Sequence, residues 1–183
     1  MFIRTDRLFL RPAWLEDAPE LTRAIAHEPV VRMLARVPWP YREEHARAFV
    51  EAQTDPLYPT LLVTVPAERS RIVGCVGLHE DEGHTATGYW IAPDCWGRGY
   101  ATEALRGLLP LARILGHQRI VGRHAADNPA SGRVLRKAGF VPTGRSRPFH
   151  SLGRGASLNG PEYALDLAAE VDDPHDAPMK RAA

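Results

Sequence analysis

Apolar residues between positions 7 and 167 fall into short runs that alternate with polar ones and longer runs that repeat about every 3.6 residues, with Pro and Gly at the joins. Residues 7–11 alternate as a first strand, closed by Pro12, which has no N–H to give a ladder. Asp17 followed three residues later by Glu20 predicts a capped helix that turns Leu21, Ala24 and Ile25 inward and stops at Pro29. A turn of helix over 30–34, a break at Pro38-Trp39-Pro40 and a second helix over 42–52 continue the same wall. The β-branched run 60–65 and the strand 71–79 predict a hairpin through the turn 66–70. After a turn at 80–85, residues 86–91 form the next strand.

The longest helical pattern follows. Residues 100–115 place Ala101, Ala104, Leu105, Leu108, Ala112 and Leu115 on one face, which buries that face against a sheet. Pro110 lies inside it, where the missing N–H costs about 3 kcal/mol in an exposed helix and predicts a kink near Arg106 and Gly107. Gly116 stops the helix and 119–124 form a strand; a strand–helix–strand passage of this length favours parallel neighbours joined by a right-handed crossover. Asn128-Pro129 opens another helix, because Asn caps well and Pro suits the first helical position, and Gly139 closes it. Residues 140–143 and 162–167 read as the last two strands, separated by a long polar segment rich in Gly and Ser. The chain therefore reads as one α/β domain over residues 1–168 with a frayed acidic tail over 169–183.

Composition narrows the function classes. A chain of 183 residues, 44% of them hydrophobic, holds one domain with a real core and not two. The formal charge is +1 and the Lys and Arg residues are dispersed, so neither a nucleic-acid nor a membrane surface is expected. The first residues lack an apolar signal core, and no run approaches the roughly eighteen apolar residues of a membrane helix. A cytoplasmic location follows as the expectation. Cys75 and Cys95 show no metal-ligand spacing, so no metal site is expected; a free Cys such as Cys95 is more often a small packed residue than a nucleophile.

The chemistry concentrates in residues 88–104, a strand, a glycine-paired loop and a helix start. Gly97 and Gly99 allow a sharp turn in which successive N–H groups converge, the next helix adds unpaired N–H groups, and Arg98 adds a cation. That arrangement suits a diphosphate. A P-loop of the NTPase kind would need Lys and then Ser or Thr where Tyr100-Ala101 stand. A dinucleotide fingerprint would need a third Gly at Thr102 and an acidic residue where the chain has 119–123.

The sequence GYW followed by WGRGYATEAL, together with Asn128-Pro129-Ala130-Ser131 and Lys137-Ala138-Gly139-Phe140, resembles the GNAT (Gcn5-related) N-acetyltransferases, and within them the branch similar to the ribosomal-protein acetylating enzymes. The resemblance runs loosely over 4–167 and is dense only over 72–144; it departs at Asp94, where the family usually has Gln or Arg. It implies a single domain with a mixed, mostly antiparallel twisted sheet flanked by helices, whose central parallel strands splay apart. It also implies acetyl-CoA as cosubstrate: the diphosphate on Gly97, Arg98, Gly99, Tyr100, Ala101 and Thr102, and the pantetheine arm between the strand 89–91 and the strand 121–124. Backbone N–H groups of Ile91 and Ala92 would bond that arm and polarise the thioester carbonyl, and Asn128 and Ser131 would complete the cofactor site.

Direct acetyl transfer needs a neutral amine, donors for the developing oxyanion and a proton for the departing thiolate. One branch of the family carries a Tyr donor seven residues after the Asn, where this chain has Leu135; the branch it resembles has Ser three after the Asn, which is Ser131. The resemblance makes Ser131 the proton donor, although a Ser there also serves simply to support the helix start. It makes His150, nineteen residues after Ser131, the general base, an imidazole of unperturbed pKa about 6.5. His79, Glu80 and His84 are rival bases. A protein N-terminal α-amine is the leading acceptor and a small-molecule amine, an antibiotic or amino-acid analogue, the alternative; a homodimer is compatible with either. Neutralising a Lys at pH 7 costs about 4.6 kcal/mol and an α-amine about 1.4, so a weak base suffices for the latter. Trp39, Tyr41 and Phe49 could shape the acceptor pocket or simply pack the core, and Glu43, Glu44, Glu80, Asp81 and Glu82 would favour a polycationic acceptor only if the fold gathered them. A non-catalytic acyl-CoA sensor would keep the glycine loop while dispensing with Ser131 and the base.

Overall fold

The computed structural model describes residues 1–167, so the tail expected at 169–183 lies outside the described residues. Eight strands form one sheet in the order β1 (Ile3–Arg4), β2 (Phe9–Arg11), β3 (Thr60–Val65), β4 (Arg71–Asp81), β5 (His84–Ile91), β6 (Arg119–Arg123), β8 (Ala156–Asp166), β7 (Val141–Ser151). Every neighbouring pair is antiparallel except β5 and β6, which are parallel and joined through the helix α4 (Tyr100–Ile114). This is the mostly antiparallel sheet with a central parallel pair that the sequence leads one to expect.

The middle strands are buried on both faces, which is why β3 and β4 read as continuous apolar runs. One face packs Leu61, Val63, Val73, Val76 and Leu78 against Ala104, Leu105, Leu108 and Ala112 of α4 and Leu135 of α5 (Pro129–Lys137). The other packs Leu62, Ile72 and Cys75 against α1 (Ala18–Ile25), α2 (Glu28–Val31) and α3 (Glu43–Glu51). Each buried aliphatic side chain of this kind contributes about 1.5–3 kcal/mol through burial.

Several elements differ from the expected ones. Pro29 does not end α1; it occupies the first turn of α2, where a missing N–H costs nothing. The expected box between Asp17 and Glu20 is not formed: Asp17 accepts from Trp14 N and pairs with Arg11, while Glu20 Oε1 accepts from Ile72 N at 2.8 Å, tying α1 to the start of β4. The turn expected at 80–85 shrinks to Glu82-Gly83, both at positive φ, a geometry that matches the twist of a two-residue hairpin. The long polar segment before the last strand is a hairpin of two eleven-residue strands, β7 and β8. As the sheet's edge, β7 shows most of its side chains to water and so carries little apolar periodicity; Pro142 and Pro148 are tolerable there, and Pro161 of β8 lies just past the last residue paired with β6, Glu162.

Candidate active site

The parallel pair at the sheet's centre opens almost as soon as it forms. β5 pairs with β4 along its whole length, Asp81↔His84 to Gly74↔Ile91, but with β6 only at Ala86↔Val121 and Thr87↔Gly122. Ala92 N donates to Val73 O at 2.8 Å, which fixes the alternation of the β4–β5 ladder: Trp90 and Gly88 also turn their polar groups to β4, whereas Tyr89 and Ile91 turn theirs toward the side from which β6 has diverged. Trp96 Nε1 takes the Ile91 carbonyl at 2.6 Å. The gap thus receives the N–H of Ile91 and the N–H and C=O of Tyr89. The Ala92 N–H, expected from the sequence to serve the same gap, is committed to Val73.

At the end of β5 the chain makes one 3-10 turn over Pro93–Cys95 and passes through Gly97 and Gly99 at φ of 76° and 81°, conformations that a side chain disfavours. Gly99 is the N-cap of α4 and has no side chain with which to cap it; the first bond of the helix is Glu103 N to Gly99 O, 3.1 Å. The N–H groups of Tyr100, Ala101 and Thr102 therefore have no partner within the helix and stand at its positive end. Arg98 lies beside them, exposed, within 3.3 Å of Glu68 and 3.2 Å of the Asp94 carbonyl. The Asp94 carboxylate does not stand bare near the loop. Arg71 binds it at 2.5 Å, and that bond holds its carboxyl below the usual carboxylate range.

Sequence reasoning missed Arg7. Its guanidinium donates to the Arg98 carbonyl at 2.9 Å, lies 4.9 Å from the centre of the Tyr100 ring and pairs with Glu103 at 2.6 Å. Burial works to raise the Glu103 pKa, but hydrogen bonds from Thr5 and from the backbone and side chain of Arg7 outweigh it and hold the group below its ordinary value. No local pattern could have announced this clamp, because its partners lie more than ninety residues downstream.

On the other side of the gap, Asn128 caps α5 by accepting from Ser131 N at 3.3 Å. The Ser131 hydroxyl meets the phenol of Tyr89, Oγ to Oη 2.8 Å, and the same Oη lies 2.9 Å from the Ser131 carbonyl. Tyr89 went unmarked in the sequence except as part of GYW. Burial raises its pKa above the usual value, more than the Ser131 hydrogen bond lowers it. Leu135, where a tyrosine donor would stand in another branch, is core, 1% exposed.

The structure separates the expected bases. His150 lies exposed on β7, paired with Ser157, and its imidazole has no hydrogen bond among the described residues. His84 is exposed at the start of β5, and Glu80 accepts from Gly83 N in the hairpin turn. His79 is half-buried, with its Cε1 3.8 Å from the point where a Gly88 side chain would begin. Burial, then the charges of Arg36 and Arg123, bring its pKa down to about 4, so it is neutral near pH 7. Four of the five carboxylates are engaged by arginines: Glu43 pairs with Arg47, Glu44 with Arg42, Asp81 with Arg123 and Glu82 with Arg147. Of the aromatic wall residues, Tyr41 and Phe49 pack with α1 and α3, and Trp39 is 42% exposed. Cys95 is buried, and burial raises its thiol pKa. Among the described residues no group of His, Cys, Asp or Glu could hold a metal, and no helix is long and apolar enough to cross a membrane.

Comparison with known proteins places this geometry. Residues 7–141 match the family described as acetyltransferase (GNAT) domain. The uncharacterized N-acetyltransferase YoaA of Bacillus subtilis (strain 168) is 25% identical over 162 residues, covering 80% of this chain and 86% of that protein. Among solved structures, RimL, a ribosomal L7/L12 alpha-N-protein acetyltransferase in complex with coenzyme A, superposes with a TM-score of 0.75 at 21% identity over 91% of this chain and 98% of that one. MccE, a microcin C7 self-immunity acetyltransferase in complex with acetyl-CoA and AMP, gives 0.74 at 20% identity over 88% and 93%.

Proposed function

The chain belongs to the GNAT acetyltransferase family, and from that premise we propose that it moves the acetyl group of acetyl-CoA directly to a primary amine, the leading acceptor being a protein N-terminal α-amine. The observation that carries the reading is the early divergence of β6 from β5, which leaves unpaired backbone groups of Tyr89 and Ile91 facing a gap that ends at Ser131.

In this reading the amides of Gly97 to Thr102 and the Arg98 guanidinium take the diphosphate. The pantetheine arm extends β5 as a short strand on Ile91 N–H and the Tyr89 backbone, with Asn128 fixing the opposite wall by its cap. The Ile91 N–H polarises the thioester carbonyl as it gains negative charge. The Ser131 hydroxyl donates to the sulfur as the C–S bond breaks. A base removes the proton that the amine nitrogen sheds on forming the new C–N bond; His150 remains the choice made by resemblance, and His79, neutral and beside the space left by Gly88, is its rival.

Arg36 and Arg123 beside His79, and the pairing of Asp81 with Arg123 and of Glu82 with Arg147, weigh against a polycationic acceptor. The likeness to RimL supports an N-terminal α-amine, and the almost equal likeness to MccE keeps a small-molecule amine as the second reading. Thiol release from acetyl-CoA against a panel of N-terminal peptides, lysine peptides and small amines separates these. Turnover confined to small amines would remove the protein acceptor. Ser131→Ala should lower kcat at least tenfold with little change in coenzyme A affinity, and an unchanged kcat would remove Ser131 as donor.

A further inference from the structure

Resting on the reading of Ser131 as donor, we propose that Tyr89 is a positioning residue for acetyl transfer: its hydroxyl sets the direction in which Ser131 gives its proton. A phenol has a single O–H, and Tyr89 Oη has two neighbours on Ser131, the carbonyl oxygen at 2.9 Å and Oγ at 2.8 Å. If Tyr89 donates to the carbonyl, the short Oη–Oγ contact is a hydrogen bond only when Ser131 donates to Tyr89, and the serine proton then points away from the gap. If Tyr89 donates to Oγ, the serine proton is released to point elsewhere.

Negative charge growing on a sulfur in the gap decides between the two. It draws the Ser131 proton toward itself, and the second arrangement then forms a chain, Tyr89 O–H to Ser131 Oγ and Ser131 O–H to sulfur, in which each bond strengthens the next. No bond need rotate except the two O–H bonds, because the heavy atoms already stand in place. Asn128 holds the serine backbone and β5 holds the tyrosine.

Tyr89 keeps its proton throughout. Burial disfavours the phenolate, so the residue supplies a hydrogen bond and is not the source of the thiol's proton. The atoms balance without it: the C–S bond breaks and its electron pair goes to sulfur, the C–N bond forms, sulfur takes the Ser131 proton, and the proton that the base removes from nitrogen returns to the Ser131 oxygen through solvent, leaving both hydroxyls as they began.

Tyr89→Phe keeps the ring and removes only the hydroxyl. Steady-state kinetics of the full chain with acetyl-CoA and its best amine, coenzyme A titration and thermal denaturation are measured for Tyr89→Phe, Ser131→Ala and the double variant. We expect kcat of Tyr89→Phe to fall about tenfold or more while the coenzyme A Kd stays within threefold, and the double variant to be no slower than Ser131→Ala alone. A purely structural tyrosine would lower the melting temperature and slow the Ser131→Ala background by the same factor as the wild type. That result overturns the inference, as does a Tyr89→Phe kcat equal to wild type while Ser131→Ala is slow. An unimpaired Ser131→Ala instead overturns the donor assignment on which the inference stands.

Discussion

Replacing Arg7 by Met tests whether the glycine loop proposed to take the diphosphate is held by a residue outside its own motif. Methionine keeps an aliphatic stem against Tyr100 but loses three interactions of the guanidinium: the ion pair with Glu103, the hydrogen bond to the Arg98 carbonyl and the contact with the Tyr100 face. The Arg7 side chain is 51% exposed, so each is weak: about 0.5 kcal/mol for the ion pair, about 0.5–1 for the hydrogen bond and about 0.5–1 for the cation–π contact. One head group makes all three, so they do not add fully, and about 1.5 kcal/mol in total is a fair estimate. Glu103 is not orphaned, since Thr5 Oγ1 and Arg7 N still donate to it. If the loss falls on the order of the loop, coenzyme A affinity drops about tenfold. Calorimetric titration with coenzyme A measures this, and kcat/KM for acetyl-pantetheine, which lacks the diphosphate, serves as the control. A coenzyme A Kd within twofold of wild type, or an acetyl-pantetheine kcat/KM that falls by the same factor, would refute the role of Arg7 in ordering the loop.

Arg98→Glu should weaken coenzyme A binding more than Arg7→Met does, and the deficit should shrink as salt is raised from about 0.05 to 0.5 M, since an exposed charge is screened; a salt-independent deficit would contradict the electrostatic role. His79 has a folded pKa of about 4 against an unfolded one of about 6.5, so the unfolded chain binds more protons between these values; its contribution is complete above about pH 6.5 and lost as pH falls toward 4. Urea denaturation at pH 7 and pH 5 should show a pH-dependent loss in the wild type, about 2 kcal/mol of it from this group, that is smaller in His79→Asn; equal losses in the two proteins would count against it. Arg154 donates to Asp127 with both terminal nitrogens and to the Arg32 carbonyl, so Arg154→Ala should loosen the β7–β8 turn, still held by Leu152 N to Ala35 O and Ser151 Oγ to Leu34 O, raising KM for the amine several-fold while leaving coenzyme A affinity intact, as titration and kinetics on one preparation would show.

What the sequence disclosed about this site follows from the range of the interactions involved. The glycine loop, the start of α4 and the Asn128-Pro129 helix start are local: positive φ at Gly97 and Gly99, and an asparagine capping three residues on, are written in adjacent letters. The β7–β8 hairpin was illegible because an edge strand exposed to water needs no apolar alternation. Arg7 and the Glu20 bond to Ile72 N were illegible because only the folded sheet brings those groups together. Ala92 failed for a subtler reason. Resemblance places a backbone group near the gap, but the direction of an N–H depends on the parity of the ladder, and the Val73 partner that fixes that parity lies on another strand.

That parity gives the three letters GYW a physical meaning that no single residue carries. Successive residues of a strand point side chains to opposite faces and backbone groups to opposite neighbours. Gly88 therefore leaves room beside His79 on the face of α1 and α3, and Trp90, two residues on, packs on that same face. Tyr89 between them sends its side chain to the other face, where it meets Ser131, while its own backbone groups turn toward the gap. A slip of β5 by one residue would exchange all of these at once, placing a tyrosine in the space that Gly88 leaves and a glycine opposite Ser131. The full-length β4–β5 ladder, eight consecutive pairs from Asp81↔His84 to Gly74↔Ile91, is thus as much a part of the proposed catalytic arrangement as the residues that face it.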